Sequence, residues 1–157
     1  TPEPTPEPTP EPTPEPTPVS PADEKLIADP FVEKAVRKSL EKPEGELTEA
    51  DLEKVTDLSL DFTKITDEGL KELAKFQNLT HLSLVGTQIT DEGLKELGKF
   101  QNLTILSLAD TQITDEGLKE VAKLQKLETL NLVLTKITDA GVAELQKALP
   151  NCKIHGP

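Results

Sequence analysis

A solenoid of stacked strand-and-helix units, and with it an α/β fold, is predicted for this 157-residue chain by three observations. A 24-residue unit occurs three times between Leu58 and Thr129 and begins again at Leu130; residues 58–81 and 82–105 agree at 19 of 24 positions. A fixed period of this size is the mark of an array of small structural repeats. Leu82 and Leu84 alternate with Ser83, which places both leucines on one face of a short strand, while Leu94 and Leu97, three apart, share one face of a helix. One strand and one helix cannot bury those faces alone, so neighbouring units must stack to make a continuous core. Successive strands then lie parallel, about 4.8 Å apart.

The apolar frame Leu79-x-x-Leu82-x-Leu84 recurs as Val55/Leu58/Leu60, Leu103/Leu106/Leu108 and Leu127/Leu130/Leu132. In the second unit it continues Thr87-x-Ile89-Thr90-Asp91-Glu92-Gly93-Leu94-x-x-Leu97 and ends near Phe100. Over residues 55–154 this pattern resembles the leucine-rich repeats of bacterial proteins, with Thr63, Thr87, Thr111 and Thr135 at the turn position where that family often has Asn or Cys. The departure is mild, because a short hydroxyl side chain also bonds local backbone in a turn. The resemblance implies a right-handed βα horseshoe whose concave, parallel-sheet face binds proteins.

The chain divides into three parts. Residues 1–18 read Thr-Pro-Glu-Pro four times and then Thr-Pro. Alternate prolines remove backbone donors and fix φ, so polyproline II is the default there and residues 1–21 are expected to form a disordered spacer. At about 3.1 Å per residue it would span on the order of 60 Å. Such tracts resemble the spacers of bacterial surface proteins, where the threonines are candidates for glycosylation; an inert interdomain linker is the plainer reading. Residues 22–54 are expected to cap the solenoid. Asp29-Pro30 is a helix start, Phe31, Val32, Ala35, Val36, Ser39 and Leu40 form one helical face, and Pro43 and Gly45 stop it. Thr48-Glu49-Ala50-Asp51 resembles a capping box and leads a short helix through Leu52 to Val55. This segment resembles the helical N-terminal cap of internalin-like bacterial proteins. Residues 55–157 form the repeat domain, closed by a fifth strand near Leu149-Pro150-Asn151-Cys152, where two registers both put Cys152 at an inward leucine position as a buried thiol.

Charge and composition exclude several functions. The formal charge is -12, of which Glu3, Glu7, Glu11 and Glu15 carry part and the folded portion the larger share. Such a surface repels phosphates, so neither nucleic acid nor an anionic membrane is an expected partner. No run of about 18 apolar residues is present, so no membrane insertion is expected. One cysteine makes no intrachain disulfide and leaves the redox compartment open. The chain starts without an initiator Met or a signal sequence, consistent with an N-terminus removed earlier.

The conspicuous polar column is Asp67, Asp91, Asp115 and Asp139, joined by Glu68, Glu92 and Glu116. A ladder of carboxylates could hold calcium, but each Thr-Asp-Glu also opens a helix, where side-chain oxygens cap free amides and negative charge suits the dipole, and capping is the expectation. Lys75, Lys99, Lys123 and Lys147 are expected in the last turns of the same helices. Gly69, Gly93, Gly117 and Gly141 follow the acidic residues, where a crowded strand-to-helix turn favours a missing Cβ. His81 and His155 are the only histidines, and no Cys/His/Asp cluster has metal-ligand spacing. A Ser83/His81 set with Asp57 or Asp61 lies on outward strand positions without oxyanion donors, so no catalytic residues, cofactor or metal are expected.

What remains is surface, and the repeats themselves show which surface varies. The outward strand positions read Asp57/Ser59/Asp61, His81/Ser83/Val85, Ile105/Ser107/Ala109 and Thr129/Asn131/Val133, whereas the helix side repeats Lys-Glu almost unchanged. Apolar Val85, Ile105, Ala109 and Val133 beside acidic Asp57 and Asp61 suit a protein partner with a modest basic edge. Four or five strands give a strip only roughly 20 Å wide, and specific interfaces bury about 800 Å² on each side. Binding would therefore be weak, rely on avidity, or recruit the loops around Phe62, Gly86, Asp110 and Leu134. The expected function is a non-enzymatic protein-interaction module, monomeric, carried on a proline-rich stalk at a cell surface or outside the cell. The alternatives are a passive spacer and a cytoplasmic adaptor, because the Ile-Thr-Asp-Glu-Gly-Leu unit also resembles repeats of ubiquitin-ligase substrate receptors.

Overall fold

The fold comes from a computed structural model that describes residues 26–157, together with Pro2 and Pro4. The spacer expected over residues 1–21 and the first residues of the expected cap lie outside the described residues, apart from those two prolines. Two helices, α1 (Pro30–Ser39) and α2 (Glu49–Glu53), precede β1 (Asp57–Ser59). Then follow α3 (Asp67–Leu70), which tightens into a 3-10 turn over Lys71–Lys75, β2 (His81–Ser83), α4 (Asp91–Leu97), β3 (Ile105–Ser107), α5 (Leu118–Val121), β4 (Thr129–Asn131), α6 (Asp139–Ala148) and β5 (Lys153–His155).

The five strands form one parallel sheet in sequence order. Its register is set by the repeat: Leu58, Leu82, Leu106, Leu130 and Ile154 stand opposite one another. The frame leucines are buried from Leu58 to Leu132, and with Ile65, Ile89, Ile113, Ile137 and the helix residues Leu70, Leu94 and Leu118 they make one core. Each turn threonine closes on its own strand. The hydroxyls of Thr63, Thr87, Thr111 and Thr135 donate to the carbonyls of Leu60, Leu84, Leu108 and Leu132, each at 2.7 Å.

The N-terminal helices cover the first repeat as expected. Asp29 caps α1 by accepting from the Phe31 and Val32 amides at 2.8 and 3.0 Å, and Val32 and Val36 turn inward with Ile27 and Leu47. Thr48 and Asp51 form the reciprocal capping box of α2, which stops at Glu53, two residues short of the expected Val55. Ser39 Oγ donates to the Asp57 carbonyl at 2.8 Å and ties α1 to the first strand.

Three expectations are corrected. The aspartates do not cap their own helices. Asp67 accepts from the Thr90 amide at 2.8 Å and the Thr90 hydroxyl at 2.6 Å; Asp91 does the same to Thr114 and Asp115 to Thr138. These three carboxylates thus bind the next repeat, and side-chain capping of a repeat helix is seen at Thr138, whose hydroxyl accepts from the Gly141 amide at 3.1 Å. The glycine column makes room for the carboxylates: a Cβ on Gly93 or Gly117 would lie 2.5 Å from a carboxylate oxygen of Asp67 or Asp91. Asp29 likewise lies 2.6 Å from where a Gly69 Cβ would sit, while its Oδ1 accepts from the amides of its own helix.

The lysines differ as well. Lys75 and Lys147 fall in last turns, but α4 and α5 end before Lys99 and Lys123. All four instead pair with a glutamate three residues earlier, Glu72, Glu96, Glu120 and Glu144, on exposed surface where such pairs contribute little. At the far end Cys152 is buried, but it precedes β5, and Ile154 takes the place opposite Leu130. The register that sets Leu149 and Cys152 on Phe100 and Leu103 holds, the Cys152 amide donating to the Leu149 carbonyl at 3.1 Å as Leu127 does to Leu124; the other fails, because one residue and not two separates Cys152 from Ile154.

Candidate functional site

The outward side chains fall into three rows across the sheet. Asp57, His81, Ile105, Thr129 and Lys153 form the first, and Ser59, Ser83, Ser107, Asn131 and His155 the second. Asp61, Val85, Ala109 and Val133 form the third, two residues past the strands, held by bonds such as Phe62 N–H to the Val85 carbonyl at 2.7 Å. The structure therefore brings the expected face together as one surface. It adds Lys153 and His155, which the broken repeat frame hid; their alternation about Ile154 was the available signal. The cap contributes a wall, since Ala35, Lys38 and Ser39 border a recess of about 530 Å³ floored by the first three strands.

Two of the expected contact residues take other roles. Ala109 is only 8% exposed, its single methyl being shorter than the flanking valines of its row, so it is floor and not contact. Asp61 is half-buried and saturated: it accepts from Ser59 Oγ, Ser83 Oγ and the Val85 amide. It braces two repeats and offers little free charge. Asp57, by contrast, is exposed and lies 3.3 Å from His81 Nδ1, which also meets the Thr80 hydroxyl at 2.8 Å. The Ser83 hydroxyl is committed to Asp61, not to His81, so the Ser83/His81/Asp57 set is split into two unrelated pairs. Among the described residues no group of three or more His, Cys, Asp or Glu side chains gathers into a cation site, and no helix is long and apolar enough to cross a membrane.

Beyond the third row the chain turns through the left-handed region once per repeat, at Phe62 (φ 56°), Gly86 (φ 65°), Asp110 (φ 53°) and Leu134 (φ 58°). Glycine adopts this conformation freely and Asp tolerates it, but for Phe and Leu it costs roughly 1–2 kcal/mol. Phe62 is nevertheless 76% and Leu134 72% exposed. Among the described residues, the large apolar side chains left exposed are these two with Ile105 and Val133. All four lie on the open sheet face or the rim that borders it, and none on the helical side.

The sequence model of the Leucine Rich repeat family matches residues 52–74, 77–98, 101–122 and 123–145. No curated protein matches the sequence significantly. Among solved structures, the chain is similar to internalin C2 of Listeria monocytogenes, with 31% identity, a TM-score of 0.63 and coverage of 83% of this chain and 54% of that one. Internalin F of the same organism gives 26% identity and a TM-score of 0.64, covering 83% of this chain and 36% of that one. A leucine-rich repeat protein of Leptospira interrogans gives 28% identity and a TM-score of 0.53 over 69% of this chain and 27% of that one. The chain thus spans about half the length of internalin C2 and about a third of internalin F.

Proposed function

Because this chain belongs to the leucine-rich repeat family, we propose that it is a protein-recognition module whose contact surface is the open sheet face and the rim beside it. The observation that carries this is the placement of the exposed apolar side chains: Phe62, Ile105, Val133 and Leu134 all lie on one flank. Exposed apolar groups rimmed by polar ones mark interaction surfaces, and here Ser59, Ser107 and Asn131 surround them with adaptable hydrogen-bonding groups. Repeats that differ on this face while holding the helix side constant support the same reading. Placement on a proline-rich stalk at a bacterial surface is supported by the resemblance of the N-terminal tract to surface-protein spacers and by the likeness to the internalins.

The test is a double variant, Val85→Glu with Ile105→Glu. Both side chains are at least partly exposed, so the unfolding midpoint should stay unchanged. A protein retained by the immobilised native chain from cell-envelope or host extract should be lost by the variant. Retention of the same protein by the variant would refute the assignment.

A further inference from the structure

Resting on that reading, we propose that the rim formed by Phe62, Gly86, Asp110 and Leu134 is a docking ridge for an extended peptide segment of the partner, one that carries two apolar side chains about four residues apart with a Lys or Arg midway between them.

The ridge has the marks of a surface kept for a partner. Phe62 and Leu134 each bear two costs in the free chain: a left-handed backbone that bulky side chains resist and a large apolar group in water. Leu134 stays 72% exposed, so little packing among the described residues offsets either cost. The Phe62 ring is set in place by its neighbour, because a Cβ on Gly86 would come within 2.5 Å of the Phe62 ring. Gly86 thus leaves room for the Cδ1–Cε1 edge of the ring, which a larger residue would displace, while most of the ring stays exposed.

The spacing defines the occupant. Positions in this column recur once per repeat, so Phe62 and Leu134 are three strand spacings apart, roughly 14 Å. An extended chain rises about 3.3 Å per residue and returns its side chains to one face at every second residue. Residues i and i+4 of such a segment therefore reach both anchors, and residue i+2 faces the same way between them. It points toward Asp110, whose exposed carboxylate meets no cation among the described residues. A basic side chain there completes the charge, and its long stem spans the remaining few ångströms. Lys64 and Lys136, exposed two residues beyond each anchor, favour neutral or acidic residues at the segment's ends.

The experiment is selection of displayed random peptides of about ten residues on the full chain, followed by titration of a synthetic consensus peptide. Enriched sequences should share two apolar residues four apart with Lys or Arg between them. Affinity should fall roughly tenfold or more in each of Phe62→Ala, Leu134→Ala and Asp110→Asn, as for truncated interface anchors, while thermal unfolding of the variants is not lowered. No enrichment, a consensus without that spacing or without the basic residue, or binding that survives all three substitutions would overturn the proposal. If those ridge variants keep a natural partner that Val85→Glu with Ile105→Glu loses, the ridge proposal falls and the sheet-face assignment stands; the opposite pattern removes the sheet face and keeps the ridge.

Discussion

Gly93→Ala should destabilise the protein, although the same exchange ordinarily strengthens a helix. Gly93 lies in the first turn of α4 with unremarkable φ, and Ala in a helix is favoured over Gly by about 1 kcal/mol. A Cβ at this position would sit 2.5 Å from Asp67 Oδ1 and 2.7 Å from Leu70 Cδ1. The leucine methyl can swing aside. The carboxylate cannot, without leaving the Thr90 amide and hydroxyl that it holds at 2.8 and 2.6 Å. Hydrogen bonds to a charged group are worth about 1.5–3 kcal/mol each, and the lower end applies at this partly exposed site, so losing both costs about 3 kcal/mol. The net expectation is a loss of about 2 kcal/mol, or roughly 5–10 °C in Tm for a domain of this size. Urea unfolding of Gly93→Ala, Asp67→Ala and the double variant reads this directly. With the carboxylate gone the alanine should stabilise by about 1 kcal/mol, a coupling of about 3 kcal/mol. A stabilised Gly93→Ala, or a cost unchanged by Asp67→Ala, would refute the inter-repeat role of the aspartates.

Three further outcomes are expected. Leu106→Ala, in the central strand and buried between two repeats, should cost about 2–5 kcal/mol in chemical denaturation. Leu134→Asn should raise stability by about 0.5–1 kcal/mol, because Asn accepts the left-handed conformation that Leu resists; a destabilised variant would show that the turn is not strained. Acid should unfold the protein through its bonded carboxylates. The Thr138 hydroxyl and amide hold Asp115 below the ordinary value of 3.8, and Lys42, with the Thr48 amide, lowers Asp51 from 3.8 to about 2. Folded values below the unfolded ones mean that this stability is complete above about pH 4 and is lost as pH falls toward about 2. Asp51→Asn should therefore flatten the fall in denaturation midpoint over that window.

Much of this was readable from the residues, and the failures share a cause. The inward leucines, the parallel register and the outward rows follow from a period of 24 combined with alternation, because both depend only on which face a side chain takes. Capping of α1 by Asp29 and of α2 by Thr48 was legible because those bonds are local. The aspartate column was not: an acid just after Thr and two residues before Gly has the same local pattern whether it serves its own helix or the next repeat, and only the stacking of the coils decides. Phe62 and Leu134 gave no sign of a left-handed backbone, since the geometry of the repeat overrides the preference of the residue. Lys153 and His155 escape the repeat frame, because the residue missing between Cys152 and Ile154 shifts them out of it. Outward direction overstates the exposure of Ala109, because a methyl among valines is covered.

The most direct measurement is site-specific photocrosslinking to a bound partner, with the crosslinker placed in turn at Ile105 and Val133 on the open face and at Lys95 and Lys119 on the helical side. Crosslinks to the partner from Ile105 and Val133, with none from the two lysine positions, are the predicted result. Crosslinks from the helical positions and none from the sheet would contradict the account.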